Sequence, residues 1–313
     1  MPEKQLLIHI GLHKTGTTWL QRRVFADAEM GFLSTKNGQS NKATDWFVTT
    51  DPLAFDAARA RGVFEPMIRE AGERGLVPVI SQERLSSDPS FGGYYFTDVI
   101  DRLEMTFDDF RVLLTIREQK GMLLALYRQA VRSGGTYSLT QMIGTGNEPV
   151  GWKPTIRPEY LMYDRMIEHL RTRLGDERVC VLPLELMRRD PKGYMQRLLA
   201  FTGAETSKEP GMEAENAGLS PLATRLSTLT NRFSRPNPLG PDQSWRLKFM
   251  RRFYWWFDRI VPKGWSNGTT KSWKSTIERR VGAMYDESNR CTSELTGFDL
   301  GSMGYGVAQD KAS

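Results

Sequence analysis

The segment Gly11–Thr18 (GLHKTGTT) gathers two glycines, three threonines, a lysine and a histidine into one turn. That composition suits an anion. Glycine allows the backbone to approach a ligand closely. Amides opening a helix have no helical carbonyl to bond, and the helix dipole favours negative charge at that end. Lys14 adds a mobile cation, the amides of Thr15, Gly16, Thr17 and Thr18 add N–H donors, and the threonines add hydroxyls. A turn capped by threonine needs neither the lysine nor the second glycine, so phosphate binding is the better reading. Two further positions carry chemistry. Arg117 follows the apolar run Phe110–Ile116 and offers a second cation to the same anion. Glu83, in VISQERLSS, follows another apolar run and could act as a base if burial tunes its pKa. His13, inside the loop, is the alternative base.

These residues need a scaffold that brings loop ends together. Gln5–Ile10, Leu76–Ser81, Phe110–Ile116 and Arg178–Leu182 read as short buried strands. Thr17–Phe25, Leu53–Arg74, Gln119–Arg132, Glu159–Leu174 and Asp190–Phe201 read as helices, with Pro66 in a first-turn position and Gly175 and Gly203 as C-caps. Strand and helix alternate. The expected fold class is therefore α/β, a mainly parallel central sheet flanked by helices in three layers, with a helical C-terminal third. Glu215–Phe233 and Ile277–Leu295 read as helices there, Arg235–Pro241 as a break, and Phe298–Tyr305 as a tail. No long linker interrupts the chain, so residues 1–313 read as a single domain whose variable helical region is about 205–274. In an open sheet of this kind ligands collect past the carboxyl ends of the strands, where the loop, Glu83 and Arg117 all fall.

The loop is not that of nucleoside triphosphatases, which read G-x-x-x-x-G-K-[ST] and place a Ser/Thr on magnesium. Here the lysine precedes the second glycine. The third strand ends in Thr115-Ile116-Arg117, with an arginine where a metal-binding aspartate could stand. The order suits phosphate held without a metal.

The stretch HKTGTTWLQ resembles the 5′-phosphosulfate loop of sulfotransferases that use 3′-phosphoadenosine 5′-phosphosulfate (PAPS). Arg117–Tyr127 (REQKGMLLALY) is similar to that family's R-x-P-x-x-R-x-x-S-x-Y motif, with Gln119 at the proline and Ala125 at the serine. Val179–Ala204 and Tyr285–Tyr305 resemble two further family segments, and residues 205–274 are poorly covered. The resemblance implies a P-loop-like fold, PAPS as donor, adenosine 3′,5′-bisphosphate (PAP) as product and no metal. Lys14, Thr15, Gly16, Thr17, Thr18 and Trp19 would hold the donor's 5′ end, and Arg117 its 3′-phosphate. Ala125 lacks the hydroxyl that the family uses there. A backbone amide, Lys271 or Lys274 is the candidate replacement. Lys14 would neutralise the leaving phosphate and Glu83 would be the base, as in an S-x-E stretch of carbohydrate-type members (Ser81-Gln82-Glu83). Glu185 reads as structural.

Composition limits the partners. A net charge of +6 suits a polyanionic nucleotide or an acidic acceptor, although a solvated surface also explains it. No nucleic-acid-binding motif is found. The two cysteines, Cys180 and Cys291, form no C-x-x-C, and three histidines make a His-rich metal site improbable. His9 reads as a core residue and His169 as a surface one. No run of about 18 apolar residues is present, so a soluble, cytoplasmic protein is expected. The aromatic and basic stretch Trp245–Arg259 reads as a packed amphipathic helix, with peripheral membrane contact as the alternative. The acceptor is a small molecule or glycan of unread identity. Two other readings compete: a nucleotide or small-molecule kinase, and a non-catalytic nucleotide- or glycan-binding protein of the same fold.

Overall fold

The computed structural model describes residues 4–35, 40–211, 220–234 and 263–308. Five strands, β1 Leu6–His9, β2 Phe32–Ser34, β3 Val77–Ser81, β4 Phe110–Ile116 and β5 Val179–Pro183, form one sheet in the order β2-β3-β1-β4-β5, every pair parallel. All of β1 and β3 is buried, and all of β4 except Arg111. Burial of successive residues, which point to opposite faces, means that both faces are covered. The expected α/β class with a parallel sheet flanked by helices is what the chain adopts.

The helices are α1 Thr17–Trp19, α2 Asn41–Thr44, α3 Ala57–Glu73, α4 Phe96–Thr106, α5 Gln119–Arg132, α6 Leu139–Ile143, α7 Tyr163–Leu174, α8 Leu184–Arg189, α9 Pro191–Thr202, α10 Pro221–Ser234, α11 Lys263–Val281 and α12 Asp286–Thr296. A wide turn over Leu20–Phe25 continues α1. Several features depart from the sequence reading. The edge strand β2 was not expected. Pro66 lies inside α3 rather than in its first turn, because Asp56 caps the helix earlier by accepting from the Arg59 amide. The ring faces solvent, and its partner four residues back is Gly62, also exposed, whose freed carbonyl water can bond. Glu159–Leu174 divides into a short turn, Pro158–Leu161, and α7. The expected terminal helix 277–295 is likewise two helices, α11 and α12, broken over 282–285. Residues 235–241, the stretch 245–259 and the start of the helix expected from Glu215 lie outside the described residues.

The C-terminal third locks onto the sheet edge where the site forms. Gln119 and Asn289 exchange side-chain amide hydrogen bonds in the core, Gln119 Nε2 to Asn289 Oδ1 at 2.5 Å and Asn289 Nδ2 to Gln119 Oε1 at 3.2 Å. Glu185 accepts from the Glu118 amide at 3.3 Å and from the Tyr305 hydroxyl at 2.7 Å. Glu185 is thus structural, tying the turn after β4 to the tail. None of the described helices is long and apolar enough to cross a membrane.

Candidate active site

The sheet order puts β1 between β3 and β4, so the turns after these three strands are neighbours. The loop after β1 bears Lys14, the turn after β3 bears Glu83, and Arg117 follows β4 directly. Hydrogen bonds extend the β1–β4 pairing into the loop, from Ile10 N to Leu113 O and from Leu12 N to Thr115 O. Gly11 must be glycine: a Cβ there would overlap the Thr115 hydroxyl and lie 2.5 Å from His9 Nε2.

Lys14 and Gly16 have left-handed backbones, φ 66° and 87°, and Thr15 between them does not. Alternation of this kind turns successive amides into one concavity, an anion-binding nest. Among the described residues, the amides of Lys14, Gly16, Thr17 and Thr18 have no acceptor, while that of Thr15 closes the turn over 13–14. A left-handed lysine costs about 1 kcal/mol or more and persists only where its surroundings enforce it. Gly16 is additionally confined by α8, since a Cβ there would meet Met187 at 2.9 Å.

The hydroxyls behave differently from the amides. Thr15 is buried, and its Oγ1 bonds Leu12 O at 2.5 Å and Thr115 Oγ1 at 2.6 Å. Thr17 Oγ1 donates to Glu83 Oε2 at 3.0 Å. Only Thr18 of the three retains an uncommitted hydroxyl among the described residues. Trp19 is buried, edge-on to Tyr194, with its indole N–H on Gly211 O at 2.8 Å. It builds the wall behind the loop.

Lys14 is half-buried and, among the described residues, has no carboxylate within ion-pair distance. Burial lowers its pKa, and the neighbouring Arg132 and Arg117 lower it further against the opposing pull of Glu83. Arg117 is likewise without an ion pair among the described residues. Its Nη1 donates to Lys14 O at 3.3 Å, and burial with nearby Arg188 disfavours its charge. Two half-buried cations in this position are stabilised by an anion between them. Arg132 and Arg188 join the cluster only through the fold, and nothing in their local sequence marks them.

Opposite the cations stands a His–carboxylate group. Glu83 Oε1 lies 3.4 Å from His13 Nδ1, a close ionic contact rather than a well-aligned hydrogen bond. His13 Nε2 lies 3.2 Å from Ser87 O and 3.9 Å from Asp88 Oδ1. Burial opposes charge on both partners. Even so, His13 and then Thr17 and Lys14 outweigh it and hold the Glu83 carboxyl down at about 2. Glu83 and Asp88 raise the His13 pKa above 6.5 despite its burial. Asp88, not singled out in the sequence, is itself raised, by burial against the pull of His13 and Arg84. Ser87, whose carbonyl His13 meets, is buried with φ 85°, a second strained residue at the site.

The remaining candidates fall as follows. His9 is fully buried, with Nδ1 2.7 Å from Ser81 Oγ, and burial keeps it neutral with a pKa near 3. It is a core residue. Ala125 is half-buried on α5. Lys271 and Lys274 are exposed on α11, which packs on α5 through Trp273 against Tyr127 at 5.4 Å. The structure places no contact between either lysine and Arg117 among the described residues. His169 is not a surface residue: it is half-buried, 6.0 Å from the Phe96 ring.

No family model and no curated sequence matches the chain. Similar solved structures are found. A sulfotransferase from Alicyclobacillus acidocaldarius aligns with TM-score 0.48 at 18% identity, over 74% of this chain and 92% of that one. Mouse sulfotransferase SULT7A1, complexed with PAP, aligns with TM-score 0.37 at 11% identity, over 94% and 89%. The sulfotransferase domain of the Synechococcus PCC 7002 olefin synthase aligns with TM-score 0.37 at 13% identity, over 74% and 94%. These likenesses are of fold, and each is to a sulfotransferase.

Proposed function

We propose that this chain is a sulfotransferase that moves a sulfuryl group from PAPS to a hydroxyl or amine of a small-molecule or carbohydrate acceptor. One observation carries the reading: Lys14, without a carboxylate partner among the described residues, and the amides of Lys14, Gly16, Thr17 and Thr18 lie at the same strand ends as the Glu83–His13 pair. The first group can hold and neutralise a phosphate, and the second can take a proton.

The donor supplies an activated sulfur–oxygen bond. The amides of Lys14, Gly16, Thr17 and Thr18 and the Thr18 hydroxyl would hold its 5′-phosphate, and Arg117 its 3′-phosphate. Ala125 offers no hydroxyl, and Arg188, whose charge depresses the Arg117 pKa, joins Lys271 and Lys274 as a candidate to supplement Arg117. During transfer the acceptor oxygen bonds to sulfur, the bond from sulfur to the bridging oxygen breaks, and charge develops on the departing phosphate. Lys14 stabilises that charge, a contribution commonly worth ~10²–10³ in rate. The acceptor's proton enters the Glu83–His13 pair, which titrates as a unit. A carboxylate held at about 2 is a weak base alone. Glu83 and Asp88 raise the His13 pKa despite its burial, so the neutral imidazole is the stronger proton acceptor of the two.

The test is turnover with labelled PAPS against a panel of glycans and small alcohols. Label in a sulfated product together with PAP release supports the proposal. Transfer of phosphate from ATP to the same panel, with none from PAPS, overturns it in favour of a kinase. PAP binding without turnover on any acceptor would place the chain with the non-catalytic alternative.

A further inference from the structure

A cavity of about 650 Å³ opens between the start of α4, the loop 144–157, α7 and α11. Its size is that of a small-molecule site. Its wall is aromatic: Tyr94 meets Tyr160 edge-on at 4.9 Å, and Trp152 stands half-exposed at the rim. Four cations line it, Lys153, Arg157, Arg165 and Arg280, against two carboxylates, Glu148 and Glu159.

The carboxylates are committed elsewhere. Glu148 accepts from the Thr145 and Gly146 amides, and Glu159 pairs with Arg280 at 2.9 Å. Lys153 and Arg165 have no acidic partner among the described residues. Arg157 lies over the Tyr94 ring at 4.3 Å, and its Nε is enclosed without a hydrogen-bond partner. His169 Nε2, on the same lining, is also enclosed and unpartnered. Two cations without an acidic partner beside an aromatic wall mark a place for a ligand that carries both a ring and negative charge.

We infer that this cavity binds an anionic, ring-bearing small molecule, its ring against Tyr94, Tyr160 and Trp152 and its charge on Arg157, Arg165 and Lys153. The site is separate from the phosphate loop yet coupled to it by structure. Tyr160 Oη donates to Ser86 O at 2.6 Å, and Tyr94 follows the tight turn in which Asp88 and Gly93 exchange backbone hydrogen bonds. The residues that form the cavity wall therefore continue directly into those that hold His13.

Calorimetric titration of the whole chain with 1-naphthyl phosphate, 1-naphthol and inorganic phosphate tests the inference. The expected result is that 1-naphthyl phosphate binds at least ten-fold tighter than either fragment. The double variant Lys153→Glu, Arg165→Glu, both sites exposed, should weaken it at least ten-fold, whereas Lys14→Gly should leave it unchanged. Titration of PAP separates this inference from the donor reading, since it should be lost in Lys14→Gly and kept in the double variant. Naphthyl phosphate that binds no tighter than inorganic phosphate, or that loses binding in Lys14→Gly and not in the double variant, overturns the inference and leaves the donor site untouched.

Discussion

Glu83 Oε1 stands 3.4 Å from His13 Nδ1, joining the turn after β3 to the loop after β1 beside Lys14. The same carboxylate takes the Thr17 hydroxyl on its other oxygen, at 3.0 Å. The base candidate and the anion loop are therefore one mechanical unit.

The pair fixes a pH window. Glu83 is held at about 2 rather than 4.5, so its stabilising contribution is present above 4.5 and lost as pH falls through about 2. His13 is raised above 6.5, so its contribution is full below 6.5 and lost as pH rises through the folded value. Denaturant midpoints of wild type and Glu83→Gln should differ most between pH about 4.5 and 6.5 and converge on either side. A difference constant from acid to alkaline pH contradicts the pairing. The same variant should lower turnover by ~10²–10⁴, and full activity would remove Glu83 from the mechanism.

Lys14 separates charge from strain. With φ 66°, it sits where glycine is comfortable and alanine is not. Lys14→Gly should keep or raise Tm while lowering turnover at least ~10²-fold. Lys14→Ala should lose activity equally but keep the left-handed strain of the wild type, leaving it about 1 kcal/mol less stable than Lys14→Gly. Initial rates and thermal melts of both variants check this. Activity retained in either one excludes Lys14 from transfer.

Gly11→Ala places a methyl group against Thr115 and His9. Overpacking of this kind costs about 1–3 kcal/mol, and here it shifts the loop that bears the amides. Urea denaturation should show the loss, and PAP titration should show weakened binding. Wild-type stability would mean that the loop relaxes more freely than its packing implies.

The Gln119–Asn289 amide exchange predicts a coupling. Each single change to alanine leaves the partner's buried amide oxygen without its donor and should cost about 1–3 kcal/mol. The double variant should cost clearly less than the two summed. Additive losses in a double-mutant cycle contradict the paired geometry.

The sequence made some of this legible and not the rest, for identifiable reasons. Leu6–His9 and Phe110–Ile116 are continuous apolar runs ended by Gly11 and Arg117, so strands and site loops stand out together. The three-residue strand Phe32–Ser34 has too few residues to show a period, and only its pairing with β3 defines it. Pro66 suggested a helix start because its neighbours' exposure is not visible in the local pattern. Thr15 and Thr17 read as ligand donors, but the Thr15 hydroxyl bonds Leu12 O and Thr115, and Glu83, remote in sequence, takes that of Thr17. Asp88, Arg132 and Arg188 were missed for the same reason: their relevance arises from tertiary approach. Gln119 shows the converse. It stands at the proline position of the motif it resembles, and in the fold it bonds Asn289 of α12.

Residues 11–18 are proposed to hold a sulfuryl donor. Thermal shift with PAP in the absence of magnesium tests it most directly, with ATP plus magnesium as the comparison and Lys14→Gly as the control. Ligand at a hundred times its Kd should stabilise the wild type by about 2.7 kcal/mol. The expected result is a clear rise in Tm with PAP alone, abolished in Lys14→Gly. Stabilisation by ATP with magnesium and none by PAP would contradict it.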